Sequence, residues 1–142
     1  KYQILRQASH KDIIFDRARA LSLEGDSGPY LQYAHARAHA VCAKAKAEGI
    51  KMEVAHNAEP QELSRLLHRF PEIVEHAVAE LEPHLLATYI IHLAGAFNSW
   101  YAQVPIVDAS EASPHKVALA DAVRRTLKNG LWILGIPAPE KM

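Results

Sequence analysis

Pro29, Pro60, Pro71, Pro83 and Pro114 each stand at the head of a run in which apolar residues return every three or four positions. Proline is tolerated in the first turn of an α-helix, where its missing N–H would have no partner, and disrupts helix and central strand elsewhere. A chain punctuated in this way is confined to a succession of helices whose starts are already set. After Pro29 the apolar face is Leu31, Ala34, Ala38, Val41, Cys42 and Ala45, and Gly49 is placed to stop the helix after Glu48. Pro60 opens a run with Leu63, Leu66 and Leu67, which Pro71 ends. Pro71 opens the next, with Ile73, Val74, Ala77, Val78 and Leu81 on one side, and Pro83 breaks it. Leu86, Tyr89, Ile90, Leu93, Phe97, Trp100 and Tyr101 then recur at helical spacing up to Pro105. Ser113 is expected to cap a last helix bearing Val117, Ala120, Val123, Leu127, Leu131 and Leu134, with Gly135 at its end.

Upstream, Ser9 or Asp12 is expected to cap a helix with Ile14, Phe15, Ala18 and Leu21 on its apolar face, and Gly25 to Gly28 is a turn. The stretch Lys51 to Ala58 is ambiguous, Val107 to Ser113 is a loop, and Ile136 to Met142 is a non-helical tail. No segment alternates with period two between turn signals, so no strands are expected. The expected fold is an all-α bundle of about five to six helices. With 142 residues, about half of them apolar, the chain is long enough to bury a core as one domain.

Sixteen lysines and arginines balance sixteen aspartates and glutamates. That balance excludes a domain-wide basic field, so any contact with nucleic acid has to come from a local patch. The lone Cys42 excludes an internal disulfide and suits a reducing compartment. No apolar run reaches the roughly 18 to 20 residues of a membrane span. His35 and His39 have the i, i+4 spacing of metal ligands, but no third ligand, Cys-x-x-Cys or His-Glu-x-x-His pattern joins them, so no metal site is expected and the pair reads as solvated or partly packed. Cys42 reads as a small core residue. Glu72, Glu75, Glu80 and Glu82 read as a solvated face, and Asp121 with Arg124 and Arg125 as charge pairing on a helix surface.

The most informative stretch follows Ser27. At about 100° per residue, Tyr30, Tyr33, Arg37 and Lys44 share one sector of their helix, roughly a quarter turn from its apolar stripe. Rings on which bases stack, interleaved with cations that meet phosphate, are what recognition of single-stranded RNA requires. Spacing alone favours a plainer arrangement, tyrosines laid over a neighbouring helix with their hydroxyls in water, since tyrosine is commonly semi-buried.

Gly28-Pro29-Tyr30-Leu31-Gln32-Tyr33-Ala34-His35-Ala36-Arg37 resembles the segment that opens the anticodon-binding domain of the arginyl-tRNA synthetases, a class I family. Glu82 to Tyr89 and Gly95 to Tyr101 resemble the central helix of that domain. Asn129-Gly130-Leu131, Leu134-Gly135-Ile136 and Pro139-Glu140-Lys141-Met142 resemble its C-terminus. Asp121-Ala122-Val123-Arg124 resembles its Asp-Ala-Leu-Arg signature, with Val for Leu. The resemblance implies a helical bundle that holds an anticodon loop. It puts Tyr30, Tyr33 and Arg37 at the anticodon pocket and matches Tyr101 and Met142 to other positions that touch the loop, with Asn98 and Trp100 as neighbours of the helix position and Lys44 added from the shared sector. Lys141 departs from the arginine common at the family's end, and a lysine keeps the charge but loses the planar fork. The loop at 107–113 has no match.

Neither a His-Ile-Gly-His-like nor a Lys-Met-Ser-Lys-Ser-like motif occurs, so no catalytic residue and no cofactor are expected in this chain; ATP with Mg belongs to a parent arginine–tRNA ligase. Lys1 is not an initiator methionine, and the chain is expected to be a piece of such a ligase. Residues 1–26 would link it to the catalytic domain, and 27–142 would form the helical domain. The partners implied are an arginine tRNA, through its anticodon loop, and the catalytic domain of the same chain, in a monomeric, cytoplasmic protein. The rival expectation is a helical protein-interaction scaffold without RNA binding, and a further one is a metal-bound bundle enzyme.

Overall fold

The computed structural model describes residues 1–9, 11–13, 15–55 and 61–142. Among these residues the chain forms helices α1 (Tyr2–Leu5), α2 (Arg17–Ala20), α3 (Gly28–Ala47), α4 (Glu62–His68), α5 (Phe70–Ala79), α6 (Pro83–Gln103) and α7 (Ser113–Ile133), and no strand. The expected all-α bundle is therefore present, its longer helices preceded by the single turns α1 and α2.

Local signals account for the ends of the long helices. Ser27 Oγ accepts the Tyr30 amide at 3.1 Å and Pro29 occupies the first turn, which starts α3. At the other end Gly49, with φ +73°, lets the Ile50 amide turn back to the Ala45 carbonyl at 2.9 Å. Gly135 does the same for α7, where the Ile136 amide donates to the Leu131 carbonyl at 2.8 Å. At the end of α5 this left-handed position is held by Leu81 (φ 56°), a conformation that costs an L-residue with a side chain about 1–2 kcal/mol.

The three longest helices, α3, α6 and α7, pack against one another; α4 and α5 lie against α6, and α1 also touches α6. The core is built from Leu31, Ala34 and Ala38 of α3, Leu86, Ile90, Leu93 and Phe97 of α6, and Val117, Val123, Leu127 and Leu131 of α7. Tyr89 is buried as well, its hydroxyl donating to the Leu66 carbonyl at 2.8 Å, and burial pushes its phenol up to about 12. Tyr2 is buried against Gly28 and donates to Asp26 at 2.5 Å, which fastens α1 to the bundle.

Several expectations need correction. The helix foreseen around Phe15 is reduced to the single turn α2, capped by Asp16 rather than by Ser9 or Asp12. Ser9 instead binds Glu82, donating from Oγ at 2.8 Å, and Phe15 and Leu21 are each 65 % exposed. So short a helix needs a packed face to persist, and this one has none here. Glu82, read as solvated, is held by Ser9 and His84. On α5, Val78 is exposed and Leu81 lies beyond the helix end at 82 % exposure. Ser113 does not cap α7; its buried Oγ donates to the Ile106 carbonyl at 2.9 Å and closes the preceding loop. Ile14, Pro60 and residues 56–58 of the ambiguous stretch lie outside the described residues.

Candidate nucleic-acid interface

Tyr33 and Arg37 are one helical turn apart on α3, which makes ring and guanidinium neighbours. The Arg37 guanidinium carbon lies 4.4 Å from the centroid of the Tyr33 ring and 4.8 Å from that of Tyr101 on α6. Its Nη2 donates to the Tyr33 hydroxyl at 2.5 Å and its Nη1 to Asn98 Oδ1 at 2.8 Å. One cation is thus held between two rings and two acceptors, contributed by two helices. Each cation–ring contact is worth about 0.5–1 kcal/mol at an exposed site. The remaining N–H groups of Arg37 have no partner among the described residues.

Gly95, Asn98 and Tyr101 follow one another at three-residue spacing on α6 and form the wall facing Tyr30, Tyr33 and Arg37. A Cβ placed on Gly95 would lie 3.9 Å from the Tyr30 hydroxyl, so Tyr30 leans across α6 at that point. Tyr30 is half-buried and packs on the core, while Tyr101 is 42 % exposed and braced by the buried Phe97 ring, 6.1 Å away. Beside the cluster opens a groove of about 390 Å³ lined by Arg37, Ala40, Lys44, Tyr101, Ile106 and Val107. Lys44 is exposed and pairs with Glu48 at 3.8 Å.

The loop that completes the groove had no motif to announce it. Asp108 accepts Lys116 Nζ at 2.6 Å and Ser110 Oγ at 2.5 Å. The Lys116 bond, followed by the Ser110 bonds, holds the Asp108 carboxyl down at about 2. Trp100 is half-buried against Phe97, with ring centroids 6.3 Å apart, and does not line the groove. Met142 is exposed. Its tail is fastened to α3 by Gln32 Nε2 on the Pro137 carbonyl at 2.9 Å and His35 Nδ1 on the Pro139 carbonyl at 2.8 Å. Gln32 and His35 are on the flank of α3 away from Arg37, and no hydrogen bond or ion pair among the described residues joins Met142 to the groove.

That second flank differs from its sequence reading. His35 is 1 % exposed, with Nε2 buried and unpartnered. Burial is the main cause that lowers its pKa. No group of three His, Cys, Asp or Glu side chains among the described residues is arranged to hold a metal. Asp121 is buried rather than surface-exposed, accepting from Arg124 Nη2 at 2.6 Å and Arg125 Nε at 2.7 Å. Burial alone would raise its carboxyl; the two guanidiniums together outweigh burial and hold it below the usual range. Cys42 sits at the core's edge, 3.8 Å from Asp121, and burial, then the Asp121 charge, push its thiol up.

The fold and the site define a helical binding domain, with one cation held between aromatic rings at a groove between two helices. Comparison with known proteins gives the particular family. The chain belongs to the DALR anticodon binding domain family, which it matches over residues 31–142. It is 44 % identical, over its whole length, to the arginine–tRNA ligase of Methanocorpusculum labreanum and 39 % identical to that of Pyrococcus furiosus. It spans 26 % and 24 % of those two proteins. Among solved structures it resembles Thermus thermophilus arginyl-tRNA synthetase, with a TM-score of 0.88 and 38 % identity over 99 % of this chain and 25 % of that one. No helix is long and apolar enough among the described residues to cross a membrane.

Proposed function

We propose that this domain holds the anticodon loop of an arginine tRNA as the C-terminal part of an arginine–tRNA ligase. The observation that carries this reading is Arg37, fixed between Tyr33 and Tyr101 at the mouth of an open groove. Tyr30, Tyr33 and Tyr101 offer faces to unstacked bases, each worth about 1–3 kcal/mol. Arg37 meets a phosphate or a base edge with its uncommitted N–H groups, Lys44 meets phosphate, and Asn98 orients Arg37. Met142 supplies an apolar contact from the tail. Trp100 acts from beneath as packing.

Arginine codons share a middle G, so the domain favours anticodons with a middle cytosine. Joining arginine to the tRNA at the expense of ATP, with Mg, takes place in the body that makes up the rest of such a ligase, in a monomeric, cytoplasmic enzyme. Residues 1–26 carry the connection to that body. Ile13, Phe15, Leu21 and Leu23, all exposed here, are suited to pack on it. Val78, Leu81, Trp132 and Ile133 are also exposed; this apolar face is what would favour a protein scaffold, and in our reading its partner is the same body.

Tyr33→Ala and Arg37→Ala test the reading. Each is expected to weaken tRNA binding by about tenfold or more while lowering the melting temperature by only a few degrees, since both side chains lie outside the core. Unfolding of the variants with unaltered affinity in the folded fraction would show the tyrosine sector to be core.

A further inference from the structure

The outward ridge of α3 is unusual for a surface helix. Ala40, Ala43 and Ala47 occupy it, all exposed, where charged residues are the norm, while Ala36 one turn earlier is buried. No long side chain therefore stands between the groove at Arg37 and the opposite flank. On that flank α3 and α7 enclose a cleft of about 640 Å³, whose lining includes His39, Lys46, Asp121, Arg124 and Arg125. Its one buried carboxylate, Asp121, is already consumed by two guanidiniums and the Cys42 thiol. Lys46 makes no ion pair with a described residue, and Arg125, 71 % exposed, uses only its Nε. His39 Nδ1 is buried there without a hydrogen-bond partner, while Glu140, the carboxylate beside its Nε2, is largely exposed. Glu48 is drawn to Lys44. The cleft thus presents a net excess of uncommitted cationic N–H donors.

We infer that the α3–α7 cleft is a phosphate site, with Lys46 and Arg125 as its principal donors, and that RNA reaches it by crossing the alanine ridge from the aromatic groove. The RNA source rests on the function proposed above; the phosphate chemistry rests on the cleft alone. Phosphate oxygens accept charge-assisted hydrogen bonds from both side-chain types, and the flat ridge lets a backbone lie close to the helix. A cleft of this kind adds sequence-independent affinity to a domain with no net charge.

Binding of bulk tRNA to the chain, measured over a range of salt concentrations for the unmodified protein, Lys46→Gln, Arg125→Gln and Arg37→Ala, tests this inference. Both cleft substitutions replace exposed side chains, and circular dichroism should show them folded. Each is expected to lower the salt slope by about 1 and to weaken binding by about three- to tenfold, uniformly across tRNAs. If Arg37→Ala weakens binding while both cleft variants keep the original slope and affinity, the cleft proposal is overturned and the anticodon reading stands. If the unmodified chain binds no tRNA, the anticodon reading fails, and titration with inorganic phosphate followed by NMR decides the cleft. Shifts confined to Gly49, Ile50 and Arg125, and lost in Arg125→Gln, would keep phosphate as the ligand with a free anion as its source; absence of shifts would overturn it.

Discussion

His35 shows how one side chain can couple distant parts of this domain. The Pro139 carbonyl can only accept, so Nδ1 carries the proton and donates it, leaving Nε2 as a buried acceptor without a partner. Protonating the ring would bury an N–H with nothing to receive it, beside the positive charges of Arg124 and Lys128. Burial first, then those charges, place the folded pKa below the ordinary value near 6.5. The sign follows directly. As pH falls through about 6.5, the unfolded chain takes up a proton that the folded chain refuses, so stability present above that pH is lost below it. The melting temperature is expected to drop between pH 7 and 5, and to drop less in His35→Gln, whose amide can still donate to Pro139. Equal slopes for the two proteins would remove His35 from this role. Arg37 is the counterpart on the other flank, where Asn98 and the Tyr33 hydroxyl fix a charge that solvent can still reach.

At the scale of elements, α6 and α7 approach closely at Gly130. A Cβ on Gly130 would come within 2.6 Å of Ile90 Cγ2, and Ile90 is fully buried and cannot give way cheaply. Alanine is favoured over glycine within a helix by about 1 kcal/mol, but overpacking a filled interface costs about 1–3 kcal/mol. Gly130→Ala is therefore expected to lower the melting temperature by a few degrees; a higher one would mean that the two helices have room to spare. The long helices were legible because their signals are local: a proline in the first turn, a glycine at the stop, apolar residues between. Elements settled by distant contacts were not. Nothing near Tyr2 announces that it is buried against Gly28, and nothing near Ser113 shows that its hydroxyl closes a loop onto Ile106. The same division runs through the site. Tyr33 and Arg37 are an i, i+4 pair visible in the sequence; Asn98 and Tyr101 came only from family resemblance; Ile106 and Val107 of the groove carried no signal. His35 was misread because the tail that covers it is more than a hundred residues away in the chain.

For the whole molecule, the proposed function divides the work of binding between two differently built flanks of α3, in a domain with no net charge. The aromatic groove suits bases, the α3–α7 cleft suits phosphate, and the apolar side chains exposed on α5, on α7 and in residues 13–23 suit a larger protein body. In the function proposed above, the domain's contribution is affinity and orientation, and the chemistry belongs to the rest of the ligase. The most direct test is equilibrium binding of anticodon stem-loops that differ only in the middle anticodon base. The cytosine form is expected to bind about tenfold or more tightly than the other three, and Arg37→Ala to weaken its binding by about tenfold or more. Equal affinity for all four bases, or unchanged affinity in Arg37→Ala, would contradict the anticodon reading.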